Sequence, residues 1–174
     1  MTSHTAPAPV LLDLPGRSVL SVDGLGAPEA PPFLAAVRAL FAVRAALGGQ
    51  DDVPLEGTYS QADDLTAFDL DDPAGWRWRL VVPAPAHAGA DAVLTAGGRF
   101  GAPVVLRVQP PRTVAQLLHR GPYADEAPSL RALHTFAATE GGLPSGPHTE
   151  VYLTDPRTVA PAELRTLLQV PVRR

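Results

Sequence analysis

The chain has 174 residues, 45% of them hydrophobic and 18% charged, enough for one domain that buries roughly 70% of its unfolded surface without covalent staples. It contains no cysteine, which excludes disulfides, thiol nucleophiles and thiolate metal sites, and all 14 basic side chains are arginine, which excludes lysine Schiff bases and a P-loop lysine. A net charge of -4 leaves no electrostatic footprint for nucleic acid, so no nucleic-acid partner is expected.

Residues 1–9 lack the basic start and apolar run of a leader and read as a disordered tail. No apolar run approaches the roughly 20 residues of a membrane span, so a cytoplasmic protein without a membrane partner is expected. Val10 to Leu25 is extended, with a break at Pro15-Gly16. Phe33, Leu34, Val37, Leu40, Phe41, Val43 and Leu47 recur near helical spacing, with Pro31-Pro32 in the first turn and Gly48-Gly49 at the end. Val53 to Ser60 is a strand, Gln61 to Gly75 an acidic loop, and Trp76 to Val82 a strand. Ala90 to Gly98 is a short helix. Val104 to Arg120 is extended around Pro110-Pro111, and Glu126 to Glu140 is a helix closed by Gly141-Gly142. His148 to Thr154 is a strand, Pro161 to Leu164 one helical turn, and Arg165 to Val172 the last strand.

The second half repeats the order of the first. Pro15 to Val19 lies against Pro110 to Val114, and Gly26 falls on Gly121. Pro54-Leu55-Glu56-Gly57 lies against His148-Thr149-Glu150-Val151, and Arg77 to Pro83 against Arg165 to Pro171. The expected fold is α+β: a single domain over 10–174 made of two strand–helix–strand–strand repeats, about 10–85 and 103–173. Their strands pair into an antiparallel sheet with helices on one face and a ligand cleft at the pseudo-twofold.

Glu150 sits mid-strand. Alternation puts Glu150 and Tyr152 on one face and Val151 and Leu153 on the other, expected to be the core side. The Glu150 face is either a solvated strand surface or a carboxylate within an aromatic cavity, where it would serve as a base or as counter-ion to a cation. By the repeat, Glu56 is the equivalent carboxylate, or else a surface partner of Arg77 or Arg79. Trp76 and Trp78 alternate with arginines and share a face, and Tyr59 follows Glu56. These aromatics either pack the core or stack on a flat ligand from an open sheet face. Tyr123 follows the Gly121-Pro122 turn, and His119 before it either orients Tyr123, carries a proton, or is a satisfied structural histidine. The five histidines show no zinc-ligand spacing and the acidic loop no EF-hand spacing, so neither a metal nor a cofactor is expected.

His119-Arg120-Gly121-Pro122-Tyr123, a helix, and then Gly146-Pro147-His148-Thr149-Glu150-Val151-Tyr152-Leu153-Thr154-Asp155-Pro156 resemble the GyrI-like small-molecule-binding domains. Pro54-Leu55-Glu56-Gly57 and Trp76-Arg77-Trp78-Arg79-Leu80 are similar to a stand-alone branch that includes hydrolases of cyclopropanoid genotoxins of the yatakemycin and duocarmycin class. The resemblance covers Val10 to Val172. It implies a duplicated SHS2-like fold, Glu150 as the central glutamate and Tyr123 as its partner, both catalytic. It implies an aromatic ligand wall from Trp78 and Tyr59, to which Trp76, Glu56, Tyr152, His119 and Phe41 are added as candidate ligand contacts. The implied activity is cofactor-independent water addition to a cyclopropane, in detoxification or self-resistance, with an actinobacterial host suggested by the composition. The alternative is a non-catalytic binder of aromatic or cationic drugs. A monomer or weak homodimer is expected, and with about ten residues before the first strand no DNA-binding domain is expected.

Overall fold

Apolar side chains alternate along the strands and recur every third or fourth residue along the helices, and these two periods set the architecture. The computed structural model describes residues 8–50, 52–61, 73–101 and 103–173. The expected tail rests mainly on residues 1–7, and the acidic loop on 62–72, both outside the described residues. The elements are β1 (Val10–Leu14), β2 (Arg17–Leu25), α1 (Pro31–Ala46), β3 (Leu55–Gln61), β4 (Trp76–Pro83), α2 (Ala90–Arg99), β5 (Val105–Gln109), β6 (Arg112–Arg120), α3 (Ala127–Phe136), β7 (Leu143–Pro144), β8 (Thr149–Tyr152) and β9 (Arg165–Arg173). The class is α+β, and every described strand pair is antiparallel. Among the described residues, no helix is long and apolar enough to cross a membrane.

The chain falls into two compact units. One, Pro15–Pro111, orders its strands β3-β4-β2-β5. Helix α1 begins on two prolines, whose missing amide protons cost nothing in a first turn. It buries Phe33, Ala36, Leu40 and Val43. Arg44 lies on the same buried stripe, where its guanidinium donates to the Pro83 carbonyl and, at 2.8 Å, to that of Gln50, tying the end of α1 to β4.

The second unit combines the chain through Leu14 with Arg112 onward, in the order β1-β6-β9-β8, with β7 paired to the far end of β9. Its core joins Ala115 and Leu117 of β6 and Leu168, Val170 and Val172 of β9 to Leu133 of α3. The sequence predicts one helix from Glu126 to Glu140. Instead α3 ends at Phe136 and loosens into a π-helical turn, Ala137–Gly141, where Thr139 donates back to the Thr135 and Phe136 carbonyls. The two leading strands are exchanged relative to the sequence repeats: β1 pairs with β6, and β5 pairs with β2. Proline at each bend interrupts the extended stretch, so each half of it joins a different unit.

The register corrects the alignment of the repeats. Leu80 of β4 faces Gly57, while its counterpart Leu168 of β9 faces Glu150. The counterpart of Glu150 is therefore Gly57, and Tyr59 is the counterpart of Tyr152. Glu56 is displaced by one residue, and in a strand a one-residue slip moves a side chain to the other face. Glu56 faces Val81, on the side of its sheet away from α1.

The aromatics of this unit lie on its α1 side. Trp78 is opposite Gly24, where an added Cβ would stand 2.1 Å from the indole ring, and Phe33 of α1 meets the ring edge-on at 5.3 Å. Replacing Gly24 with Ala is expected to cost about 1–3 kcal/mol through overpacking, and Trp78→Ala about 3–5 kcal/mol through the cavity it leaves. Chemical denaturation of both single variants and the double variant checks this. In the Trp78→Ala background the Gly24→Ala cost should largely disappear.

Candidate functional site

Strand β8 supplies the central carboxylate. Glu150 faces Leu168 and Tyr152 faces Thr166, and Leu168 belongs to the core under α3. The alternation predicted for β8 holds and Val151 is buried as expected, but the opposite face is covered as well. Glu150 is buried on the α3 side, whereas Leu153, expected in the core, is 41% exposed. The Tyr152 hydroxyl donates to Glu150 Oε2 at 2.7 Å, and His148 Nε2 stands 3.2 Å from Glu150 Oε1. Two donors thus converge on a carboxylate whose side chain keeps only 12% of its surface exposed.

Tyr123 joins this cluster from the β6–α3 turn. Gly121 adopts φ +120°, a conformation that side chains disfavour, and its amide donates to the Leu164 carbonyl at 3.0 Å. The chain thereby reverses at the end of β6 and sets the Tyr123 ring edge-on to Tyr152, 5.6 Å between centroids at 82°. His119 is buried, with Nδ1 3.0 Å from Ser129 Oγ and Nε2 3.2 Å from the Pro122 carbonyl. A carbonyl only accepts, so Nε2 carries the proton and Nδ1 accepts from Ser129. Both ring nitrogens are thereby committed to holding the turn that presents Tyr123, the structural alternative for this histidine.

Glu126 is the residue that the sequence reading misses. It precedes α3 and is 3% exposed, yet it does not cap the helix. Its carboxyl turns inward to within hydrogen-bonding reach of Glu150. Burial pushes it up to about 9, aided by the charge of Glu150 and by the hydrogen bond between the two carboxyls, and opposed by the Thr166 hydroxyl. In the resting geometry Glu126 Oε1 and Thr166 Oγ1 are both buried without a hydrogen-bond partner. A signal was available: Glu126, Leu130, Leu133 and Ala137 follow helical spacing, which extends the buried stripe of α3 back onto the glutamate.

The remaining candidates belong to the other unit and divide between its two faces. Trp76, Trp78 and Tyr59 are buried on the α1 side, with Tyr59 edge-on to Trp76 at 5.8 Å. That placement corrects the expectation of an open aromatic face, because the sheet's apolar side is the side α1 must cover. Phe41 is half-buried on α1 itself. Glu56, on the opposite face, pairs with Arg17 at 2.5 Å, and not with Arg77 or Arg79. Arg79 and Arg107 both pair with Asp23, at 2.6 and 2.9 Å, and the Arg79 hydrogen bond holds the Asp23 carboxyl below its ordinary value. Among the described residues, no three His, Asp or Glu side chains form a metal-binding group.

The model of the GyrI-like small molecule binding domain family matches residues 7–173. No curated protein matches the sequence. An uncharacterised conserved protein from Listeria innocua is 26% identical, with a TM-score of 0.82 over 98% of this chain and 94% of that one. A hydrolase encoded by lin2189 from the same organism is 24% identical, with a TM-score of 0.80 over the same shares. The structure of SAV2435 bound to tetraphenylphosphonium is 14% identical, with a TM-score of 0.50 over 95% of this chain and 93% of that one.

The raised Glu126 carboxyl couples folding to proton binding. The folded chain keeps this proton up to about pH 9, whereas the unfolded chain releases it near 4.5, so stability falls as pH rises between the two. Glutamine is neutral in both states. Glu126→Gln should therefore raise Tm relative to wild type, and the gain should grow from about pH 5 to about pH 9. Thermal unfolding of both proteins across that range measures it.

Proposed function

The chain belongs to the GyrI-like small molecule binding domain family, and from that membership we propose that it hydrolyses cyclopropanoid DNA-alkylating compounds of the yatakemycin and duocarmycin class, adding water to the cyclopropane. One observation carries the reading: the family's central glutamate, Glu150, is buried and held by two neighbouring donors beside a second aromatic hydroxyl, Tyr123. The hydrolase from Listeria innocua, of the same fold, adds to it.

The chemistry balances without a cofactor. Glu150 takes a proton from water as the water oxygen bonds to the cyclopropane methylene. The strained carbon–carbon bond breaks, and its electron pair moves through the conjugated dienone to the carbonyl oxygen. Tyr123 donates a hydrogen bond to that oxygen as negative charge develops, and the proton taken by Glu150 is returned through solvent to that oxygen, giving a phenol and restoring the carboxylate. Tyr152 and His148 keep the Glu150 carboxylate in place through the proton transfer.

A second reading is supported by the same groups. A buried carboxylate beside two tyrosine rings also suits an aromatic cation, bound by charge and by the ring faces without reaction. The SAV2435 complex with tetraphenylphosphonium is an example of that ligand chemistry on a similar fold.

Mass spectrometry of a cyclopropanoid alkylator incubated with the protein tests both readings. The hydrolase reading requires a product one water heavier than the substrate. Glu150→Gln should slow its formation by about 100-fold or more, and Tyr123→Phe by about 100-fold if its hydroxyl stabilises the developing charge. An intact compound that co-elutes with the protein selects the binder. A compound that neither reacts nor binds removes this substrate class.

A further inference from the structure

Glu150 stands against a second carboxyl with no cation to separate them. We propose that Glu126 and Glu150 hold a single proton between them at neutral pH, with Glu126 the positioning residue that confines the pair to one negative charge and leaves that charge on Glu150. The proposal deepens the hydrolase reading, and it rests on that reading for its consequence in the reaction.

Three structural observations support it. First, among the described residues, Glu126 has no ion-pair partner and Glu150 has only His148. Two buried carboxylates in contact repel, and sharing one proton turns the repulsion into a charge-assisted hydrogen bond. Second, the hydrogen bonds are asymmetric. Glu150 already receives the Tyr152 hydroxyl and faces His148, which favours the ion there. Glu126 is nearly inaccessible, and its Oε1 has no donor, which favours the neutral acid. Third, Thr166 Oγ1 lies near enough to Glu126 to lower its carboxyl, yet in the resting geometry it is buried and completes no hydrogen bond. A neutral Glu126 leaves this hydroxyl and Oε1 as one donor and one acceptor for a water or a ligand group.

His148, just before β8, and Tyr152 of β8 face Glu150, and Thr166 of β9 faces Glu126. Behind them His119 of β6 stands opposite Thr166, Tyr123 packs edge-on to Tyr152, and His134 of α3 lies near enough to His148 to feel its charge. Burial first, and then the neighbouring Glu150 charge, both act to keep the proton on Glu126. A singly charged pair matches a neutral electrophile or a ligand with one positive charge. When the shared proton leaves at alkaline pH, Glu150 loses a donor and gains a charged neighbour, and it becomes the stronger base.

The test is carboxyl-carbon NMR on the whole chain with labelled glutamate, from about pH 5 to about pH 10, on wild type, Glu126→Gln, Glu150→Gln and Thr166→Val. The Glu126 and Glu150 resonances should share one alkaline step in wild type. That step should disappear from Glu150 in Glu126→Gln, move to lower pH for Glu126 in Glu150→Gln, and move to higher pH in Thr166→Val. Thr166→Val keeps the comparison available if a glutamate variant fails to fold. A Glu126 resonance that titrates in the ordinary carboxylate range overturns the proposal. In parallel, cyclopropanoid hydrolysis by wild type should rise through the alkaline step, and by Glu126→Gln should stay level. If the NMR step is present and no hydrolysis occurs at any pH, the proton-sharing pair stands and the hydrolase reading falls. If the step is absent, the pair falls whatever the activity.

Discussion

The position of β9 between β6 and β8 decides what every polar group of the second unit meets. Its register sets Leu168 between Leu117 and Glu150, and Thr166 between His119 and Tyr152. Moving β9 by one residue would exchange all four neighbours for those on the opposite face. With this register, a carboxylate lies on the apolar side of a sheet, against a helix, where little water reaches it. The hydroxyl of Tyr152, the ring of His148 and the acid of Glu126 compensate for that lost hydration.

The same register logic in the first unit yields the opposite chemistry. Where the second unit has His119, Thr166, Glu150 and Tyr152, the first has Gly24, Trp78, Gly57 and Tyr59 at equivalent pairings. The Trp78 indole covers Gly24, and the Tyr59 hydroxyl lies so close over Gly57 that an added Cβ would stand 2.5 Å from it. In the second unit the corresponding tyrosine hydroxyl reaches a glutamate carboxylate. Two glycines and an indole at these places fill the first copy with aromatic packing. The second copy keeps its polar cluster. The duplication therefore preserves the frame and divides the labour, with one copy packed and one chemically equipped.

Part of this was legible in the chain. Helix α1 was marked by its paired prolines, its stripe and Gly48, each a local backbone signal. The strands were marked by alternation, and the grouping of Glu150 with Tyr152 followed from the same period. Tyr123 was marked by the Gly-Pro turn before it. Glu126 was overlooked because an acidic residue before a helix reads as an ordinary start, even though helical spacing places it on the stripe of Leu130 and Leu133. The aromatic assignment failed differently. Trp76 and Trp78 share a face in any register, but only the placement of α1 decides whether that face is open or covered.

The sequence by itself determined most of the elements, their repeated order and the exclusion of thiol and lysine chemistry, because these depend on composition and on contacts between near neighbours. The tertiary structure alone decided that Glu56 pairs with Arg17, that β1 and β5 join the opposite repeats' strands, and that Glu126 meets Glu150. Those outcomes depend on strand register and helix docking. Both are set by the summed packing of residues far apart in the chain, which no local pattern records.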